Sequence, residues 1–206
     1  MSQRISKLYH LITIPAVYKG LMAALGADRA RRRLARELYR VPAGATVLDV
    51  GCGPGTLYPY LPAVDYTGID LNARHIEHAK ALYGDKPRFL VGDAASDLPG
   101  EPGTFDLVLV SALLHHLDDD EASRMLKRLC ELLKPGGRLV TFDNVWLEGQ
   151  NPIARALNKF DSGLNVRFAA QYRRLAAGLP VSIEERLYRD LLRIPYDHFS
   201  MILTKS

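Results

Sequence analysis

Residues 47–56 read VLDVGCGPGT, with Gly51, Gly53 and Gly55 at alternate positions and Asp49 two residues ahead of the first. Glycine lets a ligand come close to the backbone and meet N–H groups at the start of a following helix. The G-x-G-x-G spacing, with Pro54 interposed, departs from the G-x-G-x-x-G of dinucleotide folds, and no G-x-x-x-x-G-K-[ST] phosphate loop is present. Asp49 would repel a pyrophosphate and attract an amine or a sulfonium. Asp70 follows Gly51 by 19 residues, where an acid accepts hydrogen bonds from both hydroxyls of a ribose. Asp93 and Ser111 mark two further strand ends. The pattern points to an adenosine-type ligand bearing positive charge. His115 and His116 add two imidazoles that titrate near neutrality, suited to taking a proton from a phenol, enol or amine.

These residues need a frame that brings four strand ends to one rim. Thr46–Val50 reads as a short apolar strand, Tyr66–Asp70 as a second, Arg88–Val91 as a third and Phe105–Val110 as a continuous apolar strand buried on both faces. Asn72–Tyr83 between them is helical and closed by Gly84. Asp118–Asp120 open a helix whose apolar positions run from Ala122 to Leu133, and Pro135-Gly136-Gly137 are expected to stop it before a strand at Arg138–Asp143. Strand and helix alternating at short intervals predict a parallel, doubly wound α/β sheet, in which ligands sit beyond the carboxyl ends of the strands.

The 206-residue chain suits one medium domain with a small appended segment. Its net charge of +4 is concentrated in Arg29, Arg31, Arg32, Arg33, Arg36 and Arg40, which favours a solvated face of a helix over 27–39 rather than a nucleic-acid surface. Two cysteines, Cys52 and Cys130, give no disulfide framework and fit a reducing, cytoplasmic setting. No Cys/His spacing suggests zinc, and no metal is expected. Residues 8–26 are apolar but interrupted by Pro15, Lys19 and His10, so an amphipathic helix pair over 4–24 that folds back is expected in place of a membrane span or signal peptide.

With these elements in place, the sequence resembles the class I S-adenosylmethionine-dependent methyltransferases over roughly residues 40–145, about half the chain. VLDVGCGPGT resembles that family's first motif, YTGIDLN the second, VGDAASDLP the third and FDLVLVSALLHHL the fourth, and LLKPGGRLVTFD is similar to the element that follows. The resemblance implies a Rossmann-like seven-stranded sheet in the order 3-2-1-4-5-7-6 with strand 7 antiparallel, supplied by the tail run 198–204. It implies S-adenosylmethionine as cofactor: Gly51, Gly53 and Gly55 line its methionine and ribose part, Asp49 lies near its amino group, Asp70 takes the ribose hydroxyls, Leu71 packs on the adenine, Asp93 accepts from the adenine amine with the Ala94 backbone beside it, and Ser111 lies near the methionine end. It also implies an N-terminal helical lid over 1–40 on a methyltransferase domain at 41–206, with a substrate-lid insertion at about 144–182.

A small-molecule substrate is expected, with the methylated atom and the oligomeric state left open. Its candidate contacts are Tyr9 and Tyr18 on the N-terminal helices, with His10 nearby, and Trp146 and Tyr172 with Phe160 and Phe168 as an aromatic wall. Arg167 would meet a substrate carboxylate or phosphate, or else pair with Asp161. His116 and His115 are the candidate proton acceptors. Three alternatives stand beside this reading: a protein that binds the cofactor without transferring methyl, such as a cyclase; an RNA methyltransferase; and a dehydrogenase of similar topology. Ser111-Ala112-Leu113-Leu114, in place of an Asn/Asp-Pro-Pro-aromatic run, disfavours methylation of base amines.

Overall fold

The computed structural model describes residues 24–161 and 163–206. The helices expected over 4–24, with Tyr9, His10 and Tyr18, lie outside the described residues, as does Ser162.

Four parallel strands form one half of the sheet: β1 (Thr46–Val50), β2 (Asp65–Asp70), β3 (Arg88–Val91) and β4 (Phe105–Ser111). β1 pairs with β2 on one side and β4 on the other, and β2 pairs with β3. β4 is central because its apolar run is unbroken: Leu107, Val108, Leu109 and Val110 are all buried. The other half comprises β5 (Leu133–Trp146), β6 (Arg167–Phe168), β7 (Val181–Tyr188) and β8 (His198–Lys205). The strand order is β3-β2-β1-β4-β5-β8-β7, with the two-residue β6 beside the end of β5. β8 runs antiparallel to both β5 and β7. Leaving β6 aside, this is the expected order with its reversed strand.

Helices cover both faces. On one lie α1 (Ala27–Leu34), prolonged by a wide π turn at Ala35–Tyr39, and α2 (Ala73–Tyr83), which bury Leu38, Tyr39, Ile76 and Ala79. On the other lie α3 (Asp119–Leu132) and α5 (Ala169–Leu175), which bury Leu126, Leu129, Tyr172 and Leu175. α4 (Pro152–Phe160) stands at the end of β5.

The helix signals act as expected at their N-termini. Asn72 accepts from the Arg74 N–H to cap α2, and Asp118 and Glu121 form a capping box on α3. The end of α3 differs from expectation. It stops at Leu132, ahead of Pro135, and β5 begins at once; Lys134–Gly137 bulge out between the Phe105↔Leu133 and Leu107↔Arg138 pairings. The arginines of α1 are partly neutralised: Arg32 pairs with Asp28, and Arg33 pairs with Glu37 and Asp190. Among the described residues, no helix is long and apolar enough to cross a membrane.

Candidate active site

The carboxyl ends of β1 and β4, with Phe142 of β5, open on a cavity of about 290 Å³. The glycine loop does not lead into a helix as expected. It passes into a single three-residue turn, Tyr58–Tyr60, because Pro54, Pro59 and Pro62 punctuate the segment. The loop is held from within the protein: Gly51 and Cys52 both donate to the Ile69 carbonyl, and the Gly53 N–H donates to Asp70 Oδ2 at 2.8 Å. The glycines therefore serve different ends. A Cβ on Gly55 would fall 2.8 Å from the Phe89 ring, so its smallness serves the core. A Cβ on Gly53 would meet nothing within 4 Å, so the open face belongs to Gly53, where φ of +54° also suits glycine.

Asp70 is fixed at both oxygens, since Oδ1 accepts from the Asn72 N–H at 2.8 Å. Each oxygen keeps a further lone pair for another donor. Leu71, next in sequence, is 73% exposed. Asp93 is also exposed; its Oδ1 accepts from the Ala95 N–H, and Ala94 packs against the core. Asp49 is different. It is buried in the cavity floor and accepts from Tyr66 Oη at 2.7 Å. Burial pushes its carboxyl up to about 6, against the pull of the Tyr66 hydrogen bond and with a smaller push from Asp70. Ser111 lines the same cavity, and its Oγ lies 3.3 Å from Tyr39 Oη. Ala112 follows with φ of +54°, a strained backbone for a non-glycine residue at the rim.

The rest of the wall is apolar or aromatic: Ala30, Leu34 and Tyr39 from the first helical segment, Leu57, Phe142, Leu191 and Leu192, with His198. His198 is a wall residue that the sequence reading passed over, since its alternating strand pattern hid it. Burial holds its imidazole down at about 4, and its ring stacks on Phe142 with centroids 4.8 Å apart.

The expected aromatic wall is not assembled there. Tyr172 is buried under β5 and β8, donates to the Asn144 carbonyl at 2.9 Å and stacks on Phe199. Phe160 is 81% exposed, and Trp146 pairs with Phe168 along β5 and β6. Arg167 meets neither Asp161 nor open solvent. It is buried, paired with Asp119 at 2.8 Å, and donates to the carbonyls of Leu114, Leu117 and Asn165. Five donors in a planar fork suit this bracing of several carbonyls.

The two histidines sit on the turn Leu114–His116 that Arg167 braces. His115 is buried and has no free nitrogen: Nδ1 lies 2.8 Å from Asp143 Oδ1, and Nε2 lies 3.3 Å from Asp161 Oδ1. His116 is exposed; partial burial and the neighbouring His115 lower its pKa from the usual imidazole value.

Comparison with known proteins agrees with this frame. Residues 47–137 match the methyltransferase domain family. An O-methyltransferase, resE, from Aspergillus sclerotiorum is 33% identical over 143 residues, covering 64% of this chain and 52% of that protein. The ubiquinone/menaquinone biosynthesis C-methyltransferase UbiE of Desulfotalea psychrophila is 33% identical over 124 residues, covering 58% and 49%. The chain thus spans about half the length of the curated relatives it matches. Among solved structures, a TehB-like S-adenosylmethionine-dependent methyltransferase from Corynebacterium glutamicum superposes with a TM-score of 0.68 at 23% identity, over 96% of this chain and 99% of that one. Residues 47–137 thus match a methyltransferase domain, and the sheet around them has the strand order that the resemblance to the class I S-adenosylmethionine-dependent methyltransferases implies.

Proposed function

We propose that the protein methylates a small molecule at the expense of S-adenosylmethionine. One observation carries this reading: two carboxylates stand at the glycine loop, Asp70 fixed at the rim by the Gly53 N–H and Asp49 buried in the floor of the cavity that Gly51 and Cys52 line. A buried acid raised to about 6 is costly to ionise and gains most from a cation beside it. A pyrophosphate would have the opposite effect, and the glycine loop opens no helix that could receive one. The site residues thus fit a cationic nucleoside.

When bound, the cofactor supplies an electrophilic methyl group on sulfur. Asp70, already oriented by two backbone N–H groups, offers its remaining lone pairs to the ribose hydroxyls. Exposed Leu71 gives the adenine an apolar face, and Asp93 with Ala94 meets its amine edge. Asp49 balances the positive charge, and Ser111, steadied by Tyr39, lies toward the methionine end. The apolar wall excludes water and aligns the acceptor, which is the main demand of a displacement at carbon. Removal of a proton, where the acceptor carries one, falls to exposed His116, since both nitrogens of His115 face carboxylates. Residues 27–40, whose Ala27, Ala30, Leu34 and Tyr39 line the cavity, cover the acceptor site as part of a lid. The free cysteines, both buried, accord with a cytoplasmic setting.

The test is calorimetric titration with S-adenosylmethionine, S-adenosylhomocysteine and NAD(H), followed by mass spectrometry for S-adenosylhomocysteine across a panel of phenols, amines and activated carbon acids. Binding of the sulfonium compound and acceptor-dependent turnover are expected. Selective NAD(H) binding refutes the cofactor reading, and cofactor binding without turnover on any acceptor favours a non-transferring protein.

A further inference from the structure

Around His115 the chain concentrates more buried negative charge than the methyl-transfer reading uses. Asp143, 2% exposed, and Asp161 both face this one imidazole. A single imidazole cannot balance two carboxylates, and charge taken out of water needs a partner. Asp143 Oδ2 is buried with no hydrogen-bond partner at all.

The geometry is that of a ligand set. His115 Nδ1 faces Asp143, which fixes the tautomer and aims Nε2 outward, as the outer-shell carboxylate does for metal-bound histidine. Nε2 stands 3.3 Å from Asp161 Oδ1. Two donors each about 2.0–2.1 Å from a tetrahedral ion stand roughly 3.3 Å apart. Donor atoms of His115, His116 and Asp161 all fall within 4.8 Å of one another.

The supports are stiff. Arg167 clamps the carbonyls of Leu114 and Leu117 on either side of the two histidines. Asn165 N–H donates to the His115 carbonyl, and a Cβ on Gly163 would lie 2.0 Å from the His115 ring, so the loop carrying Asp161 rides directly over it. Asp161 is aimed by the Gly163 N–H on Oδ1 and by Tyr196 Oη on Oδ2. Residues 46 positions apart in the chain thus form one cluster, which is why no local spacing signalled it.

We infer that His115 Nε2, His116 and Asp161 bind a divalent first-row transition ion such as Zn²⁺, with Asp143 as the outer-shell partner of His115. Two imidazoles and one carboxylate select this class over Mg²⁺ or Ca²⁺, which prefer all-oxygen sites. Three protein donors leave a position for water or for an oxygen of a small molecule, reached from the exposed His116 side. The cluster adjoins the cavity through Tyr196, which hydrogen-bonds Asp161 and packs edge-on against the wall residue His198. Binding of the ion is independent of the cofactor reading and is measured without cofactor.

The experiment uses the full, tag-free chain, stripped with chelator and dialysed against Zn²⁺, with Mg²⁺ in parallel. Elemental analysis should find one equivalent of zinc retained and no magnesium, and Co²⁺ should give the visible bands of a low-coordinate N/O site. His116→Ala and Asp161→Asn should each abolish stoichiometric retention. Asp143→Asn should weaken it on the order of 10- to 100-fold, the usual effect of losing an outer-shell partner. His116 is exposed, so its variant folds and carries the test even if another does not. The paired His75→Ala/His78→Ala variant on the exposed face of the second helix should retain zinc in full. No stoichiometric uptake by the native chain, uptake that His116→Ala leaves unchanged, or uptake lost in the His75/His78 variant overturns the assignment.

Discussion

Replacing Asp49 by asparagine should make the protein more stable and a poorer binder of its cofactor, with a pH dependence that identifies the cause. Burial raises this carboxyl from an ordinary 3.8 to about 6. A shift of about 2 units corresponds to about 3 kcal/mol, at about 1.4 kcal/mol per unit. The folded state holds the proton more tightly than the unfolded chain. Its advantage is therefore complete below about pH 3.8 and is lost as pH rises through about 6; above that, the fold bears the full cost of a buried anion. Asparagine carries no charge and still offers an oxygen to Tyr66 Oη. Denaturant titration should show the variant's advantage over the native chain widening by about 2 kcal/mol between about pH 4.5 and 7.5, then levelling. In calorimetry at about pH 7.5 the same variant should bind S-adenosylmethionine more weakly, because the anion that gained most from the sulfonium compound is gone. A stability gap that does not change with pH refutes the burial argument, and unchanged affinity refutes the placement of Asp49 beside the cation.

Other perturbations separate scaffold from site. Asp70→Ala should weaken S-adenosylmethionine binding by about 2 kcal/mol, within the range for hydrogen bonds to a charged group, read by calorimetry; unchanged affinity discredits the ribose assignment. Gly55→Ala should destabilise the fold by more than about 1 kcal/mol through its clash with Phe89, whereas Gly53→Ala, which meets open space and bears only the strain of its positive φ, should cost the fold less and act more on cofactor affinity. Equal effects of the two on affinity and on melting would contradict the division of roles. Arg167→Met should lower stability by about 3 kcal/mol, since buried carbonyls of Leu114 and Leu117 lose their donor, and leave S-adenosylmethionine affinity intact; chemical denaturation and calorimetry check the two halves.

The parallel half of the fold was legible because its signals are local. The run Phe105–Val110 can be satisfied only by burial on both faces, and Asn72, Gly84 and Asp118 terminate or start helices through their own backbone neighbours. The acids at strand ends were legible for the same reason, since strand order carries them to one rim. What escaped was long-range. Arg167 reads as an exposed hook for an anion, yet its donors go to carbonyls about 50 residues earlier, contacts that no pattern around residue 167 announces. Tyr172 follows helical spacing, which says that it faces something but not whether that is cavity or core. His198 hides within an alternating strand and becomes a wall residue only because β8 inserts beside β5. The glycine loop misled in one respect: a helix was expected after it, and three prolines within nine residues, Pro54, Pro59 and Pro62, forbade one.

The insertion of β8 between β5 and β7 bears on how the molecule assembles. Arg138 pairs with Thr204 and Asn144 with His198, so over this stretch β5 acquires its second neighbour only from a segment more than 50 residues downstream. Loop closure over such a distance is slow, and until it happens the flank of β5 presents unsatisfied amides and carbonyls next to an apolar surface. A nascent chain would therefore pass through a half-built sheet whose exposed ribbon invites association with other copies, making yield at high expression temperature a matter of assembly kinetics more than of final stability.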